Sequence, residues 1–360
     1  MKDASYEALE SHFKRYRRWK LIVVSLIVLL VITAIVSLSF GYAQVSFSKV
    51  VRILLSNIPF TGSLAEQTGV SANDRLIIID LRLPRVLGSI IVGAALSTAG
   101  VVFQGILRNP MADPYVIGVS SGAALGAAIA IVLHLGFGAF GFTAVSLLAF
   151  GTSLGTVFLV YTLSRSGPRT SVVNLLLSGL AVTIFLSAVI STLQVIAGGD
   201  LHKLIFWLMG GFSYVTWREV GSVALMTVIS VAGISLFSKD LNLLALGEDH
   251  ASHLGVNVEW TKRVLVTLAS LLTAAAVSIS GLIGFVGLII PHMARIVIGP
   301  DHRILLPASL LLGAIFLGLS DLASRLLFFP VDLPVGIITA LCGGPFFIYL
   351  LRRKGASYKG

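Results

Sequence analysis

The sequence predicts an all-α polytopic membrane protein, and three observations lead there. Of 360 residues, 56% are hydrophobic and only 12% are charged, with a mean hydropathy of +0.97. Apolar runs of spanning length recur from Leu21 to Leu351, and the polar residues gather in the connections between them. A water-soluble globule of this size cannot carry so few charges. Each membrane-crossing helix needs about 20 mostly apolar residues, which leaves room for about ten transmembrane helices with short connections. The 36 glycines suit close helix packing in lipid.

The expected spans run approximately over residues 20–40, 84–107, 115–135, 141–164, 172–197, 217–237, 262–280, 282–298, 304–326 and 335–351. They form one ten-span domain, 20–353, preceded by a basic segment, 1–19, and followed by a short tail, 354–360. The run Leu21–Phe40 is of spanning length and lacks a small-residue cleavage site, so it reads as the first span rather than a signal peptide. In the segment before it, Tyr16 and Trp19 are placed for the headgroup region, and the Lys and Arg cluster for an anionic leaflet.

With both termini inside, the inner segments hold 18 Lys and Arg and the outer segments eight. That bias fixes the orientation, since positive charge collects on the cytoplasmic side. It also accounts for the pI near 9.9 without nucleic acid, because the basic residues form no aromatic-interleaved patch.

Residues 41–83 form the longest outer connection, in which Val45–Ile58 has the pattern of a short interfacial helix. Between spans two and three lies RNPMADPYVIGVSSGAALGAA, Arg108–Ala128. Pro110 and Pro114 remove backbone donors and exclude α geometry from the residues before them, so one helix ends near Arg108 and the next begins near Tyr115. Such a corner must face protein or water, not lipid. The longest inner connection, Lys239–Arg263, is too polar to span. Glu248 and Asp249 sit where a short helix would begin, Gly247 and Gly255 bracket it, and Leu244, Leu246, His250 and Leu254 give it an apolar side. A compact pair of short helices there would either dock another protein or pack on its own bundle. A faint internal echo sets AALSTAG, 94–100, against AAVSISG, 275–281, and Pro110 against Pro291.

Several chemistries are absent. No Gly-rich loop ends in Lys and Ser or Thr, so the chain has no phosphate cradle and is not expected to be an enzyme or to hydrolyse ATP unaided. The lone Cys342 reads as a packing residue and excludes a disulfide framework. His292, after Pro291, reads as a helix-end histidine held by backbone groups, and no cofactor or metal is expected. Within the spans only Asp321 and Arg325 are clearly ionisable, four residues apart on one helix face where they could neutralise one another. A carrier driven by an ion gradient would be expected to offer more buried carboxylates, so transport energised from outside the chain is the leading reading, ahead of such a secondary carrier and of an intramembrane enzyme or receptor.

Six blocks then carry a resemblance: LRLPR at 81–85, RNPMADPYVIGVSSGAALG at 108–126, LLALGEDHASHLGV at 243–256, SGLIGFVGLIIPHMAR at 280–295, DHRILLP at 301–307 and DLPVGIITALCGGPFFIYLL at 332–351. In this order they resemble the permease subunit of the binding-protein-dependent ABC importers for iron-siderophores, haem and vitamin B12. The resemblance implies the type II ABC importer permease fold in a prokaryotic cytoplasmic membrane. It also implies a homodimer, or a pairing with a close paralogue, around one pathway, two ABC ATPase subunits and an extracytoplasmic substrate-binding protein. Arg82, Arg85 and Arg325 match basic residues that meet the binding protein, although interfacial snorkelling would also explain Arg82 and Arg85, and pairing with Asp321 would explain Arg325. Gly247, Glu248, Ala251, Leu254 and Gly255 match the helices that couple to the ATPase. Thr170 and Ser171 match a cytoplasmic gate, a role compatible with helix N-capping at either position. A ferric siderophore is the leading cargo, with haem and cobalamin as alternatives. Met111 stands where Leu is usual, and the basic N-terminus is longer than the family needs.

Overall fold

The computed structural model describes the backbone of residues 2–41, 45–56, 71–166, 169–328 and 330–357, and side chains within these except 2–14, 166, 169–170, 350–351 and 353–357. The side chains of the basic lead-in up to residue 14, the end of the expected 45–58 helix and the last tail residues lie outside the described residues. What is described is helical apart from two short β-hairpins.

The first helix, α1 (Lys2–Ser39), runs without interruption from the basic segment through the first apolar run. Helix α2 (Phe47–Ser56) follows, and its apolar face is fixed by Val50 and Ile53, fully buried against Leu38, Ile78 and Val86. Next come α3 (Ala72–Leu76), a π-helical stretch Ile77–Arg82 and α4 (Leu83–Ile106), one continuous run of 35 residues. A capping box starts it, with the Ser71 hydroxyl accepting from Asp74 N and the Asp74 carboxylate accepting from Ser71 N. The wider π turn sits just ahead of Pro84, which cannot donate to the carbonyl four residues earlier.

The corner after α4 is built from local hydrogen bonds. Arg108 adopts φ 47°, and Asn109 N donates to Gln104 O while Arg108 N donates to Gly105 O, the pattern of a Schellman stop. The Asn109 carboxamide oxygen accepts from Met111 N at 3.0 Å, and the Asp113 carboxylate from Tyr115 N at 2.8 Å. The expected helix start near Tyr115 is instead a 3-10 turn, Pro114–Ile117; Gly118 at φ 81° then redirects the chain into α5 (Val119–Val132).

The hairpin β1 (Gly138–Ala139) and β2 (Phe142–Thr143) leads into α6 (Ala144–Leu163). A second hairpin, β3 (Arg165–Ser166) and β4 (Arg169–Thr170), leads into α7 (Val172–Ile196). The short α8 (Leu201–Met209) was not expected from the sequence, and it is followed by α9 (Trp217–Leu236), α10 (Ser238–Ala245) and α11 (Glu248–His253). Then come α12 (Val258–Ser280), α13 (Val286–Ile298), α14 (His302–Leu326) and α15 (Val335–Ser357).

Among the described residues seven helices are long and apolar enough to cross a membrane, and three shorter apolar helices, Val119–Val132, Val286–Ile298 and Val335–Tyr349, lie where the remaining expected spans were drawn. The span expected from residue 282 begins only at Val286. Gly281 at φ 66° ends α12, and the extended chain to Phe285 has its backbone satisfied by Tyr115, whose hydroxyl donates to Ile283 O and accepts from Ile283 N. The internal echo does not extend to conformation, since Pro110 sits in a turn and Pro291 inside α13.

Helix α4 is the hub, with 83% of its apolar window buried and α14, α12, α13 and α9 packed around it. Lipid tails are as apolar as leucine, so helices in a bilayer associate through close backbone approach rather than by hiding side chains from water. Here a Cβ placed on Gly93 would overlap the Gly313 carbonyl, and one on Gly100 would overlap the Gly287 carbonyl. Gly100→Ala is therefore expected to lower stability in detergent by about 1–3 kcal/mol or more, the cost of forcing the helices apart. Gly151→Ala, with nothing within 4 Å, should leave the thermal unfolding midpoint unchanged or slightly raised. Equal midpoints for the two variants would contradict the close-packing account.

Candidate functional site

Three places concentrate polar chemistry. The first lies at the end of the bundle expected to be outward, where α1, α4 and α14 meet the segment before α15. The last carbonyls of a helix have no partner within it and attract cations, and α1 ends here. Arg82 Nη1 donates to Leu38 O at 2.7 Å. Arg325 donates through Nη2 to Ser37 Oγ at 2.7 Å and through Nη1 to Phe40 O at 3.0 Å. Arg85 bridges two carboxylates, with Nε 2.8 Å from Asp321 Oδ1 and Nη1 2.8 Å from Asp332 Oδ2. Asp321 is fully buried, and its second oxygen lies 3.1 Å from Arg325 Nη2 without an aligned hydrogen bond.

The three arginines therefore stand together at one end of the bundle, the end expected to be outward, and their guanidinium groups turn into the protein. Arg82 is 7% exposed and Arg325 4%. Neither Arg82 nor Arg85 snorkels toward headgroups, because α1 carbonyls and the two aspartates claim them. The expected Arg325–Asp321 pairing is present. Ser37 and Asp332 were missed, since nothing in the pattern of either segment indicates that it returns to this corner.

The second place is a cavity of about 740 Å³ beside this cluster, walled by α5, α6, α8, α9 and the end of α12. Arg85 and Asp332 reach its edge, Trp207 and Tyr214 give it aromatic surface, and Glu219 lies in its wall. Glu219 is buried and engaged. It accepts from Ser146 Oγ at 2.8 Å and completes a capping box with Thr216 at the start of α9.

The third place is the inner connection. Gly247 at φ 121° and Gly255 at φ 89° allow the turns on either side of α11, where a side chain would be strained. Leu241, Leu244 and Ala251 are buried beneath the short helices, whereas Leu246, Leu254 and Trp260 are more than half exposed. The single apolar side expected for Leu244, Leu246, His250 and Leu254 is thus divided, because α10 and α11 are separated by the Gly247 turn and face differently. Glu248 forms a 2.7 Å ion pair with the buried Lys262 of α12.

Asn242, not singled out from the sequence, makes the other internal tie: it donates to Asp301 Oδ1 at 2.9 Å and accepts from His302 N at 2.8 Å. Arg303 Nη2 and Arg15 Nη2 also reach Asp301, at 2.7 and 3.2 Å. Hydrogen bonding from Arg303 holds the Asp301 carboxyl well below the usual carboxylate range. A depressed carboxylate contributes its stability above the unfolded-state value and loses it only as pH falls through the folded-state one, so this cluster is intact at neutral pH.

Of the two residues expected at a gate, Ser171 is the N-cap of α7, its hydroxyl facing Asn174 N at 3.5 Å. Thr170 pairs with Arg165 in the hairpin, and its side chain lies outside the described residues. Cys342 is exposed rather than packed, and His292 is buried in the middle of α13 rather than at a helix end. Among the described residues no group of three or more His, Cys, Asp or Glu is placed to hold a metal.

The model of the FecCD transport family matches residues 29–353. A cobalamin import system permease protein of Halobacterium salinarum is 45% identical over 80% of this chain and 76% of its own. A hemin transport system permease protein of Yersinia pestis is 37% identical over 93% of this chain and 96% of its own. A molybdate import system permease protein of Haemophilus influenzae is also 37% identical, over 93% and 97%. Among solved structures, a metal-chelate type ABC transporter in an inward-facing conformation aligns with a TM-score of 0.79 at 34% identity, covering 93% of this chain and 99% of that one.

Asp321→Asn keeps the shape of the buried carboxylate but removes its charge, leaving Arg85 with Asp332 alone and Arg325 without its paired carboxylate, so stability in detergent is expected to fall by about 3 kcal/mol. Lys203→Ala, at an exposed pair with Asp200, should produce no measurable change in the same thermal unfolding assay. An Asp321→Asn midpoint equal to wild type would show that the cluster contributes nothing to holding the helix ends.

Proposed function

Because the chain belongs to the FecCD transport family, we propose that it is the transmembrane permease subunit of an ABC importer, with ten spanning helices and both termini on the cytoplasmic side of a prokaryotic cell membrane. Two copies, or one copy with a close paralogue, would enclose the pathway. Two ATPase subunits would supply the energy and an extracytoplasmic binding protein the cargo, through alternation between outward-open and inward-open states.

The observation that carries this reading is the inner platform. Leu246 and Leu254 stand exposed at the ends of α10 and α11, whose underside is already packed, and Trp260 stands exposed in the first turn of α12. Apolar side chains clustered on a loop that faces water mark a protein contact. Gly247, Glu248, Ala251, Leu254 and Gly255 are assigned to it, with the glycines shaping the turns, Glu248 and Ala251 anchoring the platform and Leu254 meeting the ATPase. Ser171, with Thr170 beside it, is assigned to the inner gate at the start of α7.

Arg82, Arg85 and Arg325 are assigned to docking of the binding protein. Their present bonds set a condition on it: carboxylates of the partner must compete with Asp332 for Arg85 and with α1 carbonyls for the other two. The cargo is proposed to be a metal chelate, with a ferric siderophore leading and haem or cobalamin next. An ion-gradient carrier is the second reading. It is disfavoured because the buried carboxylates Asp321 and Glu219 are both engaged by neighbouring side chains.

The test is uptake of a radiolabelled ferric siderophore, haem or cobalamin into vesicles holding this chain with its ATPase, with binding protein supplied outside. Uptake of one of these that requires ATP and both partners is expected. Uptake under an ion gradient with no ATPase present would overturn the reading.

A further inference from the structure

One helix, α14, is bonded through side chains to the inner platform at its start and to the outer charge cluster at its end. α14 has 25 residues and spans about 37 Å. Its first residues are held by α10 of the inner platform, and its last turns carry Asp321 and Arg325 of the outer cluster. Pro307 falls in the second turn, so the helix is unbroken by proline from there to Leu326.

The inner attachment is specific. One side chain, Asn242, uses its carboxamide in both senses, donating to the Asp301 carboxylate and accepting from the His302 backbone and ring at 2.8 Å each. Asp301 is itself the N-cap of α14, accepting from Arg303 N at 3.1 Å. Asn242 therefore grips the cap and the first residue of the helix together. Packing adds to the grip, since the His302 ring and Leu241 both lie against Gly105 of α4, where a Cβ would approach them to 3.1 and 3.0 Å.

At the far end, Asp321 meets Arg85 of α4, and Arg85 in turn holds Asp332 in the segment before α15, at the edge of the outer cavity. A displacement of α10 thus has a continuous bonded route to the outer mouth: Asn242, the α14 cap, the helix, Asp321, Arg85 and Asp332. Packed helices shift as units of about 1–2 Å rather than deforming continuously, so such a route transmits motion only while its end attachments hold.

We propose that Asn242 is a positioning residue for transport, the bond through which movement of the α10–α11 platform is passed along α14 to the Arg85–Asp332 closure of the outer cavity. This rests on the reading of the platform as the ATPase contact. It adds a route and names the residue on which the route depends.

The experiment uses the full chain with its ATPase subunits in nanodiscs, in a Cys342→Ser background. One spin label is placed at Ser252→Cys on α11 and, in a second preparation, at Leu327→Cys just beyond α14. Both positions are exposed. Spectra and label distances are recorded without nucleotide and with ATP trapped by vanadate. The wild-type sequence should respond at both positions. Asn242→Ala, and the isosteric Asn242→Asp, which sets a second carboxylate against Asp301, should keep ATP hydrolysis and the Ser252 response. They should shrink the Leu327 response by about fivefold or more.

If Asn242→Ala does not assemble, Asn242→Asp decides. A Leu327 response of wild-type size in either variant overturns the inference, as does a wild-type complex that responds at Ser252 but not at Leu327. A wild-type chain that neither binds the ATPase nor responds at Ser252 fails a different claim, the importer reading itself.

Discussion

The structure depends on backbone contact at glycine. In lipid no hydrophobic force distinguishes a buried leucine from one facing an acyl chain, so the bundle is specified by how closely its helices approach. Gly93 against Gly313 sets α4 on α14, and Gly100 against Gly287 sets α4 on α13. With those distances short, polar side chains reach across the contact: Gln104 Nε2 donates to Leu288 O at 3.0 Å, and Arg295 Nη1 donates to Gln104 Oε1 at 3.0 Å. The hub in turn positions the residues with functional potential, because Arg82 and Arg85 lie at its outer end and Arg108, beside Gly247, just past its inner end.

Around this apolar hub the buried charges of α4, α12 and α14 lie toward the two ends, where they are neutralised or capped locally. At the outer end Asp321 and Asp332 are set against Arg85 and Arg325, and Arg82 is held by α1 carbonyls. At the inner end Asp301 collects Arg15, Arg303 and Asn242, while Lys262 is paired with Glu248. Desolvated ions are stable only when so paired. The pairings also fasten α1 to α14 at both faces, through Arg15 with Asp301 inside and Arg325 with Ser37 outside. A transporter needs some parts that move and some that do not, and the short helices α8 and α11 and the extended 281–285 break lie outside this fastened group.

Much of the fold was legible because hydrophobic runs report membrane spans directly. The limits of α6, α7 and α9 fall within a few residues of those expected, and α11 lies between Gly247 and Gly255, the glycines that suggested it. What escaped has a common physical origin. The π turn before Pro84, the late start of α5 and the 281–285 break depend on which distant group satisfies a freed backbone, as Tyr115 does for Ile283. The site was half legible for the same reason: Arg82, Arg85 and Arg325 announce themselves as rare charges near helix ends, but their partners Ser37, Asp332 and the α1 carbonyls are ordinary in sequence. Glu219 is marked only by its capping-box spacing from Thr216 and Asn242 by no pattern, and they acquire their other roles through Ser146, Asp301 and His302.

The central claim is that α1, α4 and α14 form one rigid unit, tied by glycine contacts in the middle and ion pairs at the ends. The most direct measurement is the intrasubunit distance between spin labels at Phe40→Cys, at the outer end of α1, and Leu327→Cys, beyond α14, in the assembled transporter without nucleotide and with ATP bound. The account predicts the same distance in both states, within about 2 Å, the scale of packed-helix shifts. A larger separation in either state would mean that the Arg325 bonds to α1 break during the cycle, and would contradict it.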